Sequence, residues 1–323
     1  MIPAFNYVRP ASLAEACAKL ASSGTHAHAG GTDLLGCLRD GVFAADTVVS
    51  LSGIPDLRGV RKNLDGGLLI GAMTTLAEVA ADPAVAAGYA ALAEGALSAA
   101  SPQLRNQGTL GGNVCQRPRC WYYRGDFHCA RKGGDKCYAV EGENQFHCVF
   151  GGNVCFYVHP SDTASALVAL EATVRVTGRD GSRSIPAAQF FVGPETDYTR
   201  ETVLAPGEVV TEIVLPPQPP GTRSTYRKVR ARGSWDFALA GAAAVVTVAG
   251  GRVTRAKIVL SGAAPVPWRV PEAERAVTGQ RLTAQAASDA AAAAVKGAEP
   301  LAQNGYKVEL LRGAVEEAML RLA

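Results

Sequence analysis

Six of the eight cysteines in this 323-residue chain lie between Cys115 and Cys155, where even scattering would put about one. A thiolate is a soft metal ligand and a nucleophile, so such crowding points to sulfur chemistry. The order is Cys115-x4-Cys120-x8-Cys129-x7-Cys137-x10-Cys148-x6-Cys155. No pair has the short separation of zinc-ribbon ligands, and there is no CxxCxxC run of the bacterial-ferredoxin kind. Arg119, Arg124, Arg131 and Lys132 stand among the thiols and suit a centre that carries negative charge. The spacing leaves open an iron–sulfur cluster, a zinc ion or scattered free thiols. The start of the chain has no basic stretch followed by an apolar one, so a reducing compartment is expected, where clustered thiols serve as ligands more than as disulfides.

Four other segments carry polar chemistry. Ala29-Gly30-Gly31-Thr32-Asp33-Leu34 and Gly108-Thr109-Leu110-Gly111-Gly112-Asn113 are glycine loops. Bare backbone lets successive N–H groups approach an anion closely, and two such loops suit a large polyphosphate ligand held from two sides. Neither is GxGxxG or GxxxxGK[ST]. His159-Pro160-Ser161-Asp162 reads as a helix start capped by Ser161, with His159 a packed or surface imidazole. In Tyr226-Arg227-Lys228-Val229-Arg230-Ala231-Arg232 the alternation puts Lys228, Arg230 and Arg232 on one face, either a solvated face or one that meets a phosphate or ring. No histidine pair has metal-ligand spacing, and no GxSxG marks a nucleophile.

The elements that must position these residues are set by pattern. Ser12 with Glu15 and Thr75 with Glu78 have capping-box spacing. Short strands are expected at 26–29, 47–51 and 67–71, with parallel pairing in the first 55 residues. Residues 84–101 read as one alanine-rich helix, and 162–172 as another. Residues 103–160 look like loop shaped around something other than an apolar core. Pro216-Pro217-Gln218-Pro219-Pro220 is a stiff linker. Beyond it, a strand over 225–230, a hairpin of 243–248 and 252–260 about Gly250-Gly251, and helices over 283–298 and 308–322 make an α+β unit. Hydrophobic residues at 48%, charged residues at 19% and a net charge of +3 describe a globular chain. They argue against nucleic-acid binding, and the apolar runs are too short for membrane insertion.

Taken in order, AGGTDLL, IGAMTTLAE, LRNQGTLGGN, HPSD and YRKVRAR resemble the FAD-binding subunits of the molybdenum hydroxylases, the xanthine dehydrogenase and aldehyde oxidoreductase family, over nearly the whole chain. The resemblance implies an α+β fold. Residues 1–219 would be a two-part FAD domain of the vanillyl-alcohol-oxidase type, with lobes at 1–55 and 56–219 and a cysteine-rich insertion at about 115–158. Residues 220–323 would be a C-terminal domain of the CO-dehydrogenase flavoprotein type. It implies FAD held by Ala29, Gly30, Gly31, Thr32, Asp33 and Leu34 at the pyrophosphate, by Thr109, Gly112 and Asn113 on the flavin side, and by Asp162 and Lys228. The insertion resembles the subgroup that carries a 4Fe-4S cluster, as in periplasmic aldehyde oxidoreductase and 4-hydroxybenzoyl-CoA reductase. Its pattern falls on Cys120, Cys129, Cys137 and Cys155, and leaves Cys115 and Cys148 as free thiols.

The function implied by the resemblance is that of an electron-transfer subunit with no catalytic residue of its own. Its partners would be a large subunit with molybdenum cofactor and a small 2Fe-2S subunit. Such a complex would stay in the cytoplasm, or reach the periplasm with a signal-bearing partner. The competing readings are a stand-alone flavin oxidase and a metal-stapled structural protein.

Overall fold

A computed structural model describes residues 2–323. Its first 55 residues form a small parallel sheet in which β1 (Asn6–Val8) and β2 (Thr25–His28) flank β3 (Thr47–Ser50). Helices Leu13–Leu20 and Leu34–Arg39 make the crossovers that parallel pairing requires. β1 was absent from the sequence pattern: three largely exposed residues carry no readable alternation.

β4 (Val60–Lys62), β5 (Leu68–Gly71), β6 (Thr173–Gly178), β7 (Gly181–Pro186) and β8 (Val209–Leu215) form an antiparallel sheet in the order β4-β5-β8-β6-β7. Between β5 and β6 the chain leaves the sheet and builds the helices and loops that carry most of the chemistry-bearing residues. The single helix expected over 84–101 is two, Pro83–Gly88 and Ala90–Ser98, broken at Tyr89 (φ −141°, ψ 50°). The Tyr89 hydroxyl donates to the Pro216 carbonyl at 2.8 Å, a tertiary contact that helix periodicity cannot announce. Residues 103–160 are short turns of helix joined by loops, as expected.

β9 (Thr222–Val229), β10 (Ala240–Ala249), β11 (Arg252–Ser261) and β12 (Trp268–Arg269) form a second antiparallel sheet, with Gly250 and Gly251 turning the hairpin at φ 58° and 73°. β10 is apolar on both faces because both are covered. Ala243 and Val245 join Tyr226 in the core that includes Leu92, Leu167 and Ile213, while Ala242, Ala244 and Val246 meet Leu311, Val315 and Met319 on the other side. The last sheet is thereby fixed to the helices Ala90–Ser98 and Asp162–Ala169. No helix among the described residues is long and apolar enough to cross a membrane.

Of the two capping boxes, the one at Thr75 is complete. Thr75 Oγ1 accepts from the Glu78 N–H at 3.2 Å, and Glu78 Oε2 accepts from the Thr75 N–H at 2.9 Å. At the other, the Glu15 carboxylate reaches the Ala11 N–H instead. Thr75 also bridges to Thr109, with Leu76 N–H donating to Gly108 O at 2.9 Å, so this cap fixes where the second glycine loop lies. Thr75→Ala is expected to destabilise the protein by about 1–2 kcal/mol, and Thr75→Ser by much less, as read from chemical denaturation midpoints.

Candidate cofactor-binding site

The two glycine loops face one another. A Cβ at Gly30 would overlap the Gln107 carbonyl, so the loops can touch only as bare backbone, and Gly31 sits at φ +74°. None of the backbone N–H groups from Gly30 to Leu34 has an acceptor among the described residues. Five successive free donors make an anion nest. The cavity in front of them, about 1050 Å³ to its open mouth, is lined by all of Ala29 to Leu34 together with Thr109 and Gly112. Its apolar walls come from Phe43, Leu51, Met73 and Val210. The Gly112 N–H is used internally, donating to Thr109 Oγ1 at 3.1 Å, so the second loop offers shape more than free donors.

Asn113 points away from this cavity. Its Oδ1 accepts from Ser161 Oγ at 2.5 Å and Thr163 Oγ1 at 2.6 Å, tying the second loop to the His159–Asp162 segment. That segment opens onto a second cavity of about 900 Å³, whose walls include Arg119, Cys120, Trp121, Tyr157, Asp162, Phe237 and Leu239. Six buried side-chain polar atoms among the described residues lack a partner. Four of them, Arg119 Nε, His147 Nδ1, Tyr157 OH and His159 Nε2, belong to residues lining this cavity. Unpaired buried polar atoms are costly, and their concentration here marks a place for a polar ligand. His159 is 5% exposed, and burial pushes it down to about 3. Its Nδ1 accepts from the Ser161 N–H at 3.3 Å, so the single proton of the neutral ring sits on Nε2.

Asp162 and Lys228, 4% and 7% exposed, form a buried ion pair at 2.7 Å. The other Asp162 oxygen accepts from the Tyr226 hydroxyl at 2.7 Å, and Lys228 Nζ also donates to Ser98 O at 3.2 Å. Asp162 lines the second cavity, whereas Lys228 lines a separate open cleft on the other side of the pair. Asp33 is likewise engaged: its carboxylate accepts from the Arg117 N–H at 2.7 Å and pairs with Arg119 and Arg124 at 2.8 and 2.7 Å.

Cys120, Cys129, Cys137 and Cys155 line one small internal cavity with Tyr122, Tyr123, Tyr157 and Arg131. Cys115 lies instead on the first cavity, and Cys148 is buried apart from both, with burial raising each to about 12. All eight cysteines are free thiols. The Cys137–Cys155 pair loses its first proton more readily than an ordinary thiol, because the remaining S–H hydrogen-bonds to the thiolate; Cys137 falls to about 6. His147 Nε2 lies 3.3 Å from Cys120 Sγ. No group of three or more Cys, His, Asp or Glu among the described residues is arranged to hold a metal ion. Cys120 and Tyr157 belong to both this cavity and the second one. Sequence reasoning passed over Tyr157 and His147 and read Arg119 only as a cation beside the thiols, because burial without partners has no sequence signal.

Comparison with known proteins agrees with this geometry. The FAD binding domain of molybdopterin dehydrogenases matches residues 3–128 and 148–218, and the CO dehydrogenase flavoprotein C-terminal domain matches residues 224–322. The chain is 36% identical over 314 residues to the aldehyde oxidoreductase FAD-binding subunit PaoB of Escherichia coli, covering 96% of this chain and 95% of that one. It is 31% identical over 324 residues to the carbon monoxide dehydrogenase medium chain of Hydrogenophaga pseudoflava, covering 98% and 96%. The solved CO dehydrogenase of Oligotropha carboxidovorans superposes with a TM-score of 0.80 at 26% identity, over 100% of this chain and 98% of that one.

The site makes two outcomes testable. Gly31→Val places a branched side chain at a positive φ beside the nest, and should abolish the flavin released on denaturation. Asp162→Ala leaves Lys228 buried without its counter-ion and should cost about 3–5 kcal/mol of folding stability, whereas Asp162→Ala with Lys228→Met should recover much of it. Equal denaturation midpoints for the single and double variants would contradict that assignment.

Proposed function

Because the chain belongs to the family of FAD-binding medium subunits of the molybdenum hydroxylases, we propose that it holds FAD across the first two cavities and a 4Fe-4S cluster on Cys120, Cys129, Cys137 and Cys155. It passes electrons between the 2Fe-2S clusters of a small partner and an external acceptor, while a large partner with molybdenum cofactor oxidises the substrate. The nest at Gly30–Leu34 suits the FAD pyrophosphate. The partnerless atoms of Arg119, Tyr157 and His159 suit the carbonyls and nitrogens of the isoalloxazine ring in the second cavity. His159 would donate from Nε2, Thr109 and Gly112 shape the cradle, Asn113 fixes it to Ser161, and Asp162 is held in place by Lys228. FAD, when bound, exchanges electrons singly or in pairs, and a 4Fe-4S cluster exchanges them one at a time.

The observation that carries the cluster reading is the composition of the third cavity. Four of the six clustered thiols line it, and they are the four that the family pattern selects. A cubane binds one thiolate at each of four irons, so its ligands surround a volume rather than closing on a point. That suits a cavity with four cysteines on its walls. Arg131, nearly fully buried over the Tyr157 ring at 4.9 Å, supplies positive charge beside it. Cys120 and Tyr157, shared by both cavities, stand where electrons would cross to the flavin.

Single Cys→Ser changes at 120, 129, 137 and 155 should each lower iron well below the unsubstituted content and erase the reduced-state EPR signal. Cys115→Ser and Cys148→Ser should keep both. Intact iron in Cys155→Ser with loss in Cys148→Ser would reject this ligand set.

A further inference from the structure

The open cleft beyond the Lys228–Asp162 pair has no part in the flavin and cluster cavities. It spans about 750 Å³ along the end of β9 and the turn after it. Five cations line it, Arg227, Lys228, Arg230, Arg232 and Arg321, and among the described residues no carboxylate does. Two acids pair with three of these cations. Asp162 takes Lys228, and Glu317 is shared by Arg227 at 2.5 Å and Arg321 at 3.6 Å. The remaining guanidiniums end on carbonyls: Arg230 on Ser98 O at 3.0 Å and Arg232 on Trp235 O at 2.8 Å. Neighbouring Arg105 does the same on Ala99 O at 2.8 Å. A carbonyl satisfies a donor but cancels no charge. Five positive charges thus meet three negative ones, those of Asp162, Glu317 and Asp236. Asp236 is the third: it accepts from the Ala231 and Arg232 N–H groups, both at 3.1 Å, from the side of the second cavity, which it also lines.

The backbone here is also unusual. Ala100 and Trp235, two of the three non-glycine residues with positive φ among the described residues, are joined by a hydrogen bond from Trp235 N–H to Ala100 O at 2.9 Å. Conformations of this kind persist where a functional loop must be held in one shape. The Trp235 side chain is 68% exposed, so apolar packing does not explain it.

We propose that this cleft is a second anion site, which takes the diphosphate group of a small molecule. Arginine forks match phosphate oxygens in pairs, and several of them along one turn match a chain of two phosphates better than a lone carboxylate. The site is separate from the glycine nest, shares no lining residue with either flavin-side cavity, and stands whether or not the cluster assignment does.

The test uses the full chain saturated with FAD, so that the nest is filled, and titrates inorganic pyrophosphate and, separately, ADP at low ionic strength by calorimetry. Both should bind and weaken steeply with salt. Arg232→Gln with Arg321→Gln should lower the affinity about ten-fold or more with flavin content unchanged, while Lys62→Gln, a distant exposed cation, should leave it unaltered. ADP binding tighter than pyrophosphate, with the difference lost in Trp235→Ala, would identify a nucleotide as the source. Equal affinities would identify the diphosphate alone. Absence of binding by either probe, or equal binding by the double variant, would overturn the proposal.

Discussion

The carboxylate of Asp33 is the junction on which the cofactor region depends. Its residue lies within the run of free N–H groups of the first glycine loop, yet its own oxygens face the cysteine segment, where they take one backbone N–H and two guanidiniums. At 17% side-chain exposure the pairs are shielded enough to be worth more than surface ion pairs, and three partners on one carboxylate fix direction as well as distance. The nest, Arg119 on the second cavity and the segment that carries Cys120 are therefore held in one register. A residue that reads in sequence as part of a binding loop acts in the fold as the fastener between that loop and the cysteine segment.

The cysteine segment needs such fasteners because it has little apolar core of its own. A second one is Glu201, nearly buried, which pairs with Arg117 at 2.9 Å and with Arg131. A third comes from the C-terminal unit. Asn144 and Gln303 exchange hydrogen bonds at 3.2 and 2.9 Å, Asn304 donates to His147 O and Cys148 O, and the fully buried Lys307 ends on His147 O at 3.0 Å. Burial pushes Lys307 down to about 8, since only carbonyls meet it. The segment is thus suspended by polar contacts from a loop of the first unit, a loop before β8 and the start of the last helix, around a cavity, an arrangement that makes sense when the centre is filled by something other than side chains.

How much of this was legible depended on the kind of signal. The Gly250-Gly251 hairpin, the Thr75 cap and the parallel first sheet came from local rules and stand as read. The break at Tyr89 did not, because its cause is a hydrogen bond to Pro216, far along the chain. Among the thiols, spacing alone left zinc, cluster and free cysteines open. The family pattern chose four, and the fold separates those four from Cys115 and Cys148 by placing each of the latter elsewhere. Strand alternation put Lys228 and Arg230 on one face correctly, since both reach Ser98 O, but could not show that Lys228 is buried and Arg230 only half-buried.

That last difference matters for how the two sides of the site communicate. Asp162 borders the second cavity and Lys228 borders the basic cleft, so one ion pair is the wall between them. The pair is buried and further held by Tyr226 and Ser261, with hydroxyl contacts of 2.7 Å, so its charges are poorly screened. A negative charge held in the cleft would offset part of the Lys228 charge that Asp162 feels, and leave the carboxylate more negative toward the second cavity. Any group in that cavity that gains electrons would then be harder to reduce, and one that gives them up would do so more readily. The sign is fixed by the arrangement of the pair alone: an anion bound on the Lys228 side favours electrons leaving the second cavity over electrons entering it.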